Sequence, residues 1–116
     1  MNSSRLRTTI IVLTSITALI HLVLLNLGGL SILFLLNGIG FFTLLWALLF
    51  AKQELIVRLR HWIYYIYIAF SLLTILAYFA SWGAQGWSDP LGMFTKIVEA
   101  LLIVALLMHM RQTENA

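Results

Sequence analysis

Long apolar stretches separated by short polar ones organise this chain from end to end. Four of them, from Thr8 to Leu27, Ser31 to Ala51, His61 to Ala80 and Pro90 to Met110, each approach the ~20 residues an α-helix needs to cross bilayer hydrocarbon. Gly28-Gly29 allows a very tight turn that forces the first two helices into an antiparallel hairpin. The segment from Lys52 to Arg60 alternates charged and apolar residues, as suits an interfacial stretch where Arg and Lys stems snorkel. A third connection, Ser81 to Asp89, carries Gly83, Gly86, Trp82 and Trp87. Asp89-Pro90 then reads as an N-cap followed by proline at the first helical position. The pattern predicts an all-α fold: one transmembrane domain over residues 1–116, folded as an antiparallel bundle of four membrane-crossing helices.

Composition strengthens the membrane reading. The chain is 62% hydrophobic and only 9% charged, whereas in soluble domains about a quarter of residues are charged. A soluble domain of this size could not bury so much apolar surface. Arg5 and Arg7 before an apolar run give the layout of a secretory signal. The run is too long for one and no Ala-x-Ala-like site follows, so a retained helix is expected. With no cysteine, disulfides, thiol chemistry and Cys-ligated metals are excluded.

Charge sets the expected orientation. Arg5, Arg7, Lys52, Arg58, Arg60 and Arg111 fall on one side of a four-span arrangement, and the opposite loops carry only Asp89. The positive-inside rule places the basic side, with both termini, in the cytoplasm of a cell membrane. The same rule explains the net charge of +3 without a nucleic-acid partner. So strong a bias also argues against dual-topology proteins of this size, such as the small multidrug transporters and small fluoride channels.

Lys96 and Glu99 remain, both inside the fourth stretch. A charge at mid-helix costs ~2.5–3.5 kcal/mol on insertion scales. Their spacing of three residues shares a helix face and lets them pair. Gly92 lies on that face one turn earlier and leaves room for a neighbouring helix or a ligand. At ~1.5 Å per residue, Lys96 lies about 9 Å and Glu99 about 13 Å from the outer helix end. His21 lies about 10 Å and Asn37 about 9 Å in by the same count. Thr14, Ala18 and His21 share a face of the first helix, and Tyr67, Ser71, Thr74, Tyr78 and Ser81 line one face of the third. His21, Asn37, Thr74, Tyr78, Lys96 and Glu99 are therefore the candidate ligand-binding residues, facing inward because lipid offers them no hydrogen bonds. Against this stands the plainer reading that hydroxyls in membrane helices only bridge neighbours.

Other chemistry is thinly represented. His61 and His109 sit at the cytoplasmic ends of their helices beside Arg60 and Arg111, and paired histidines can hold a haem. Their place among Trp62, Tyr64 and Tyr65 is that of interfacial belt residues, so neither a haem nor a metal is expected, nor any other cofactor. No nucleophile motif, phosphate loop or metal-ligand spacing points to an enzyme.

His21-Leu22, the run Leu35-Leu36-Asn37-Gly38-Ile39-Gly40-Phe41, and Asp89-Pro90-Leu91-Gly92 followed by Lys96 and Glu99 resemble small uncharacterised four-span membrane proteins of bacteria and haloarchaea. The resemblance covers all four stretches and implies a compact four-helix bundle without an assigned activity. Asn37-Gly38-Ile39-Gly40-Phe41 also resembles an Asn/Gly segment of the small fluoride channels. The third-helix motif of those channels is missing, because that helix begins His61-Trp62-Ile63-Tyr64-Tyr65, and their function is not carried over. Two functional readings follow. One is an intramembrane polar pocket for a small polar ligand, lipid headgroup, quinone or ion, with transport or proton relay as its uses. The other is an accessory subunit docked into a larger membrane complex, with Gly38, Gly40 and Gly92 allowing close helix contact; the expected partners are a membrane-embedded protein or further copies of the chain.

Overall fold

The computed structural model describes residues 2–22 and 32–114, and these are helical almost throughout, with no strand among them. Helix α1 is Ser3–Leu22. Helix α2, Ile32–Leu45, continues without a break into a π-helical turn, Trp46–Phe50. A short α3, Glu54–Arg58, precedes α4, Arg60–Trp82. A 3-10 turn, Gly83–Ser88, leads into α5, Pro90–Glu114. The Gly28-Gly29 turn and the chain's last two residues lie outside the described residues.

The ends of the elements have local causes. The first helix starts before Thr8, where the apolar run had placed it, because Asn2 caps it. Asn2 Oδ1 accepts the Arg5 N–H at 2.8 Å, and its carbonyl accepts that of Leu6 at 3.0 Å. At the far end of α2 the Ala51 N–H reaches back five residues to the Trp46 carbonyl at 2.8 Å. The Arg7 guanidinium donates to the Leu49 carbonyl at 3.1 Å and lies 5.0 Å from the Phe50 ring centroid. A cation from α1 thus satisfies a carbonyl of the last turn of α2, where the helix dipole favours positive charge. The charged connection forms the short α3, braced by an exposed Arg58–Glu54 ion pair at 2.9 Å, worth ~0.3–0.5 kcal/mol. Gly83 stops α4 with a φ of 57°, a positive value that glycine adopts without strain. The Asp89 carbonyl accepts the Met93 N–H at 2.9 Å, and Pro90 opens α5 as its sequence foretold.

Helix α1 packs against both α2 and α5, α4 packs against α5, and the seam between α2 and α4 is the thinnest of these contacts. Three helical segments are long and apolar enough to cross a membrane: Ser4–Leu22, Arg60–Ala80 and Pro90–Gln112. The fourth apolar helix, Leu35–Phe50, is shorter, so four spans of equal length do not appear among the described residues. The surface of these helices is apolar. On α5, Phe94, Ile97, Leu101, Val104 and Met108 are exposed at helical spacing, while Val98, Leu102, Ala105 and Leu106 are buried. The interior holds not only Leu6, Ile10, Phe41 and Leu48 but also Thr14, Thr17, His21, Lys96 and Glu99. Apolar groups outside and charged groups inside reverse the usual arrangement of a water-soluble domain.

Gly38 sets the approach of α1 and α2. A Cβ there would lie 2.5 Å from Leu22 Cγ and 2.9 Å from the Ala18 carbonyl oxygen, and the latter is backbone that cannot move aside. Gly38→Ala is expected to destabilise the detergent-solubilised protein by about 1–3 kcal/mol, the usual cost of overpacking. Leu36→Ala two residues away, on the exposed face, should stay within ~0.5 kcal/mol. Thermal unfolding of both variants in one detergent checks the contrast.

A buried charged cluster as candidate functional site

The site begins on α5. Lys96 and Glu99 stand on the face turned away from exposed Ile97, and their side chains are only 7% and 0% exposed. Lys96 Nζ donates to Glu99 Oε1 at 2.5 Å. The carboxylate's other oxygen, Oε2, accepts the hydroxyl of Thr17 from α1 at 2.7 Å. Both oxygens are therefore held by charged or hydroxyl donors, as a buried carboxylate requires.

Thr17 also places the third ionisable group. Its carbonyl oxygen lies 2.8 Å from His21 Nδ1 one turn along α1. A carbonyl only accepts, so Nδ1 carries a hydrogen and Nε2 is the nitrogen that gains or loses one. Nε2 faces Glu99 Oε2 at 4.0 Å. A single threonine thus holds the carboxylate with its hydroxyl and aims the imidazole with its backbone.

Tyr78 completes this group from α4. Its ring centroid lies 5.2 Å from Lys96 Nζ, within cation–π range. The Tyr78 hydroxyl occupies the space a side chain at position 92 would need, so Gly92 makes room for it. The space anticipated at Gly92 is filled by a neighbouring helix.

The structure divides the six sequence-derived candidates into two groups. His21, Tyr78, Lys96 and Glu99 come together with Thr17. Asn37 and Thr74 form a separate pair on the α2–α4 seam, with Asn37 Nδ2 donating to Thr74 Oγ1 at 3.1 Å. Among the described residues neither of them bonds to Lys96 or Glu99. Phe41 is fully buried beside both groups, its ring 6.1 Å from that of His21 and edge-on to Phe70 at 4.9 Å. Asn37 Oδ1 is buried with no hydrogen-bond partner among the described residues.

The polar stripe of α4 is real but serves several partners. Tyr67 and Ser71 are fully buried; the Tyr67 hydroxyl bonds to that of Thr14, and Ser71 donates to the Tyr67 carbonyl at 3.0 Å. Thr74 joins Asn37, Tyr78 joins Lys96, and the Ser81 side chain is outside the described residues. Sequence reasoning overlooked Thr17, the residue that ties α1 to the carboxylate. Its signal was available, since Thr14, Thr17 and His21 are spaced three and four apart on one helix face. Ala18, placed on that face instead, meets Gly38 of α2.

The two terminal histidines go separate ways. His109 Nδ1 bonds to the Tyr64 hydroxyl, whereas His61 packs edge-on against Tyr65 with ring centroids 4.8 Å apart. Among the described residues no group of three His, Cys, Asp or Glu side chains could hold a metal ion. No family model matches this chain, and neither a curated protein nor a solved structure shows detectable similarity to it.

Removing one member of the ion pair isolates a buried charge, so Lys96→Met should cost about 3–5 kcal/mol of stability. The double change Lys96→Met with Glu99→Leu removes both charges and should recover most of it. Thr17→Val should cost less, about 1–3 kcal/mol, because Lys96 still holds the carboxylate. Reversible denaturation in mixed micelles measures all three.

Proposed function

We propose that this chain is an integral membrane protein of the cell membrane, and that its buried charged cluster binds a small polar ligand or ion within the bilayer. It would cross the bilayer four times as an antiparallel bundle with both termini cytoplasmic. Contact pairs of opposite chain direction support that arrangement: Arg7 with Leu49 for α1 and α2, and Tyr64 with His109 and Tyr78 with Lys96 for α4 and α5. They bring Arg7, Arg60 and Arg111 toward one end and Asp89 toward the other, the distribution the positive-inside rule assigns to the cytoplasm. This architecture is also the one implied by the resemblance to small four-span prokaryotic proteins.

One observation carries the functional reading. Glu99 is fully buried, yet it collects an ammonium at 2.5 Å, a hydroxyl at 2.7 Å and an imidazole at 4.0 Å from two different helices. Helix association does not require this, since interhelical hydrogen bonds in membranes contribute only ~0.6 kcal/mol on average. Three ionisable groups gathered this closely can exchange partners with a guest. Lys96 can turn to an anionic group, Glu99 to a cationic one, and His21 can adjust its charge to either.

The accessory-subunit reading rests on a different face. Ile39, Phe42, Thr43 and Trp46 on α2 line an open, apolar groove of about 330 Å³. An apolar surface of that kind suits a neighbouring membrane helix as well as it suits lipid.

Two measurements test the proposal. A reporter fused after Ala116 should read out in the cytoplasm, and an outside readout would overturn the topology. Purified in mild detergent, the wild-type protein should carry a small polar molecule detectable by mass spectrometry. The Lys96→Met, Glu99→Leu double variant, folded but uncharged, should carry none. A stoichiometric large partner in both preparations, with no bound small molecule, would favour the accessory subunit.

A further inference from the structure

Between the basic end of the bundle and the ligand site runs a series of buried hydroxyls, of which only the last, Thr17, belongs to that site. At the basic end, His109 Nδ1 bonds to the hydroxyl of Tyr64, which is 2% exposed. One turn further along α4 stands Tyr67, fully buried, its hydroxyl bonded to that of Thr14 on α1. Thr17, one turn further along α1, donates to Glu99 Oε2 at 2.7 Å. The file passes from α5 to α4, crosses to α1, and returns to α5.

The geometry points to a proton path from His109 at the basic end to the carboxylate of Glu99. Each hydroxyl both donates and accepts, so it can hand on its own proton while receiving another. A proton taken from water by His109 passes to Tyr64, and successive hydroxyls each give one and regain one. The net change is one proton added to the Glu99 carboxylate. Hydrogen bonds within the file cover the steps between helices. The two remaining steps, Tyr64 to Tyr67 and Thr14 to Thr17, run between residues three apart, which share a helix face. The path needs a bridging water at each of these two steps.

Hydroxyls that only glued helices together would not need this order. Here four of them, drawn from two helices, form one file, and it ends on the least exposed ionisable group of the cluster. The groups facing Glu99 are Lys96 on α5 and Thr17 and His21 on α1, with Tyr78 of α4 behind Lys96. Those whose charges reach His109 are Arg7 and Arg60. Protonating Glu99 removes the negative charge that holds Lys96. Proton arrival would therefore free the ammonium for a guest, and in this the path rests on the ligand reading above.

The test is time-resolved infrared spectroscopy of the full chain in lipid vesicles after an acid jump. The protonated-carboxyl band lost in Glu99→Gln identifies the Glu99 signal. In the wild type that band should rise promptly. In the Thr14→Val, Tyr67→Phe double variant its rise should slow by about tenfold or more, as expected when proton-transfer partners are lost. That variant removes both members of one hydrogen bond and leaves neither unpaired, so the fold should tolerate it. Thr43→Val, which removes an exposed hydroxyl bonded to its own helix, should keep the wild-type rate. An unchanged rate in the double variant, or the absence of any Glu99 band, would overturn the path. If the path fails while ligand retention still depends on Lys96 and Glu99, the binding reading stands. If ligand retention ignores both residues, that reading fails on its own account.

Discussion

A carboxylate shut away from water must find its solvent among protein groups, and Glu99 imposes that demand on three helices. Lys96 answers from one turn earlier on the same helix. Thr17 answers from α1, and in doing so presses α1 against α5. Tyr78 reaches the ammonium from α4 only because position 92 has no side chain. Charge at one position thereby fixes which faces of α1, α4 and α5 meet. Such a pair is weak evidence for stability, since its desolvation offsets much of its attraction. Its persistence is better understood through register and use.

The remainder of the packing follows from the same reversal of inside and outside. Leucine, isoleucine and phenylalanine cover much of the outer faces, as on helices apolar enough to cross a membrane. Thr14, Tyr67, Ser71 and Thr74 turn inward and bond to one another or to the carbonyl a turn behind. Every hydroxyl that finds an inward partner narrows the set of possible helix rotations. The seam is ordered by its polar groups and filled by its apolar ones.

Much of this was legible in the residues. The apolar stretches gave the helices because apolar runs of bilayer length are characteristic of membrane-crossing helices. Lys96 with Glu99 stood out because charges in such runs are costly. Pro90 gave the start of α5 because proline suits the first helical position. Four finer features were not read. Asn2 lies outside the apolar run that defined the first helix, so its cap went unnoticed. The π-turn at the end of α2 has no periodicity of its own to reveal it. Thr17 looked like one more threonine among several, since its importance depends on which residue of α5 it meets. Asn37 matched the charged cluster in depth, but depth along an axis does not give rotation about it. That rotation turned Asn37 toward Thr74.

The packing is also unequal around the bundle. Helix α1 is locked to α2 by a glycine contact and to α5 by the charged cluster, and α4 is joined to α5, whereas α2 and α4 meet over the thinnest seam. The Asn37–Thr74 hydrogen bond fastens that seam, and one buried oxygen of Asn37 has no bond of its own among the described residues. Aromatic packing closes the same seam, with Phe70 of α4 set against Gly40 and edge-on to Phe41 at 4.9 Å. Parting α2 from α4 would break the Asn37–Thr74 hydrogen bond and leave the contacts of Glu99 with Lys96 and Thr17 intact.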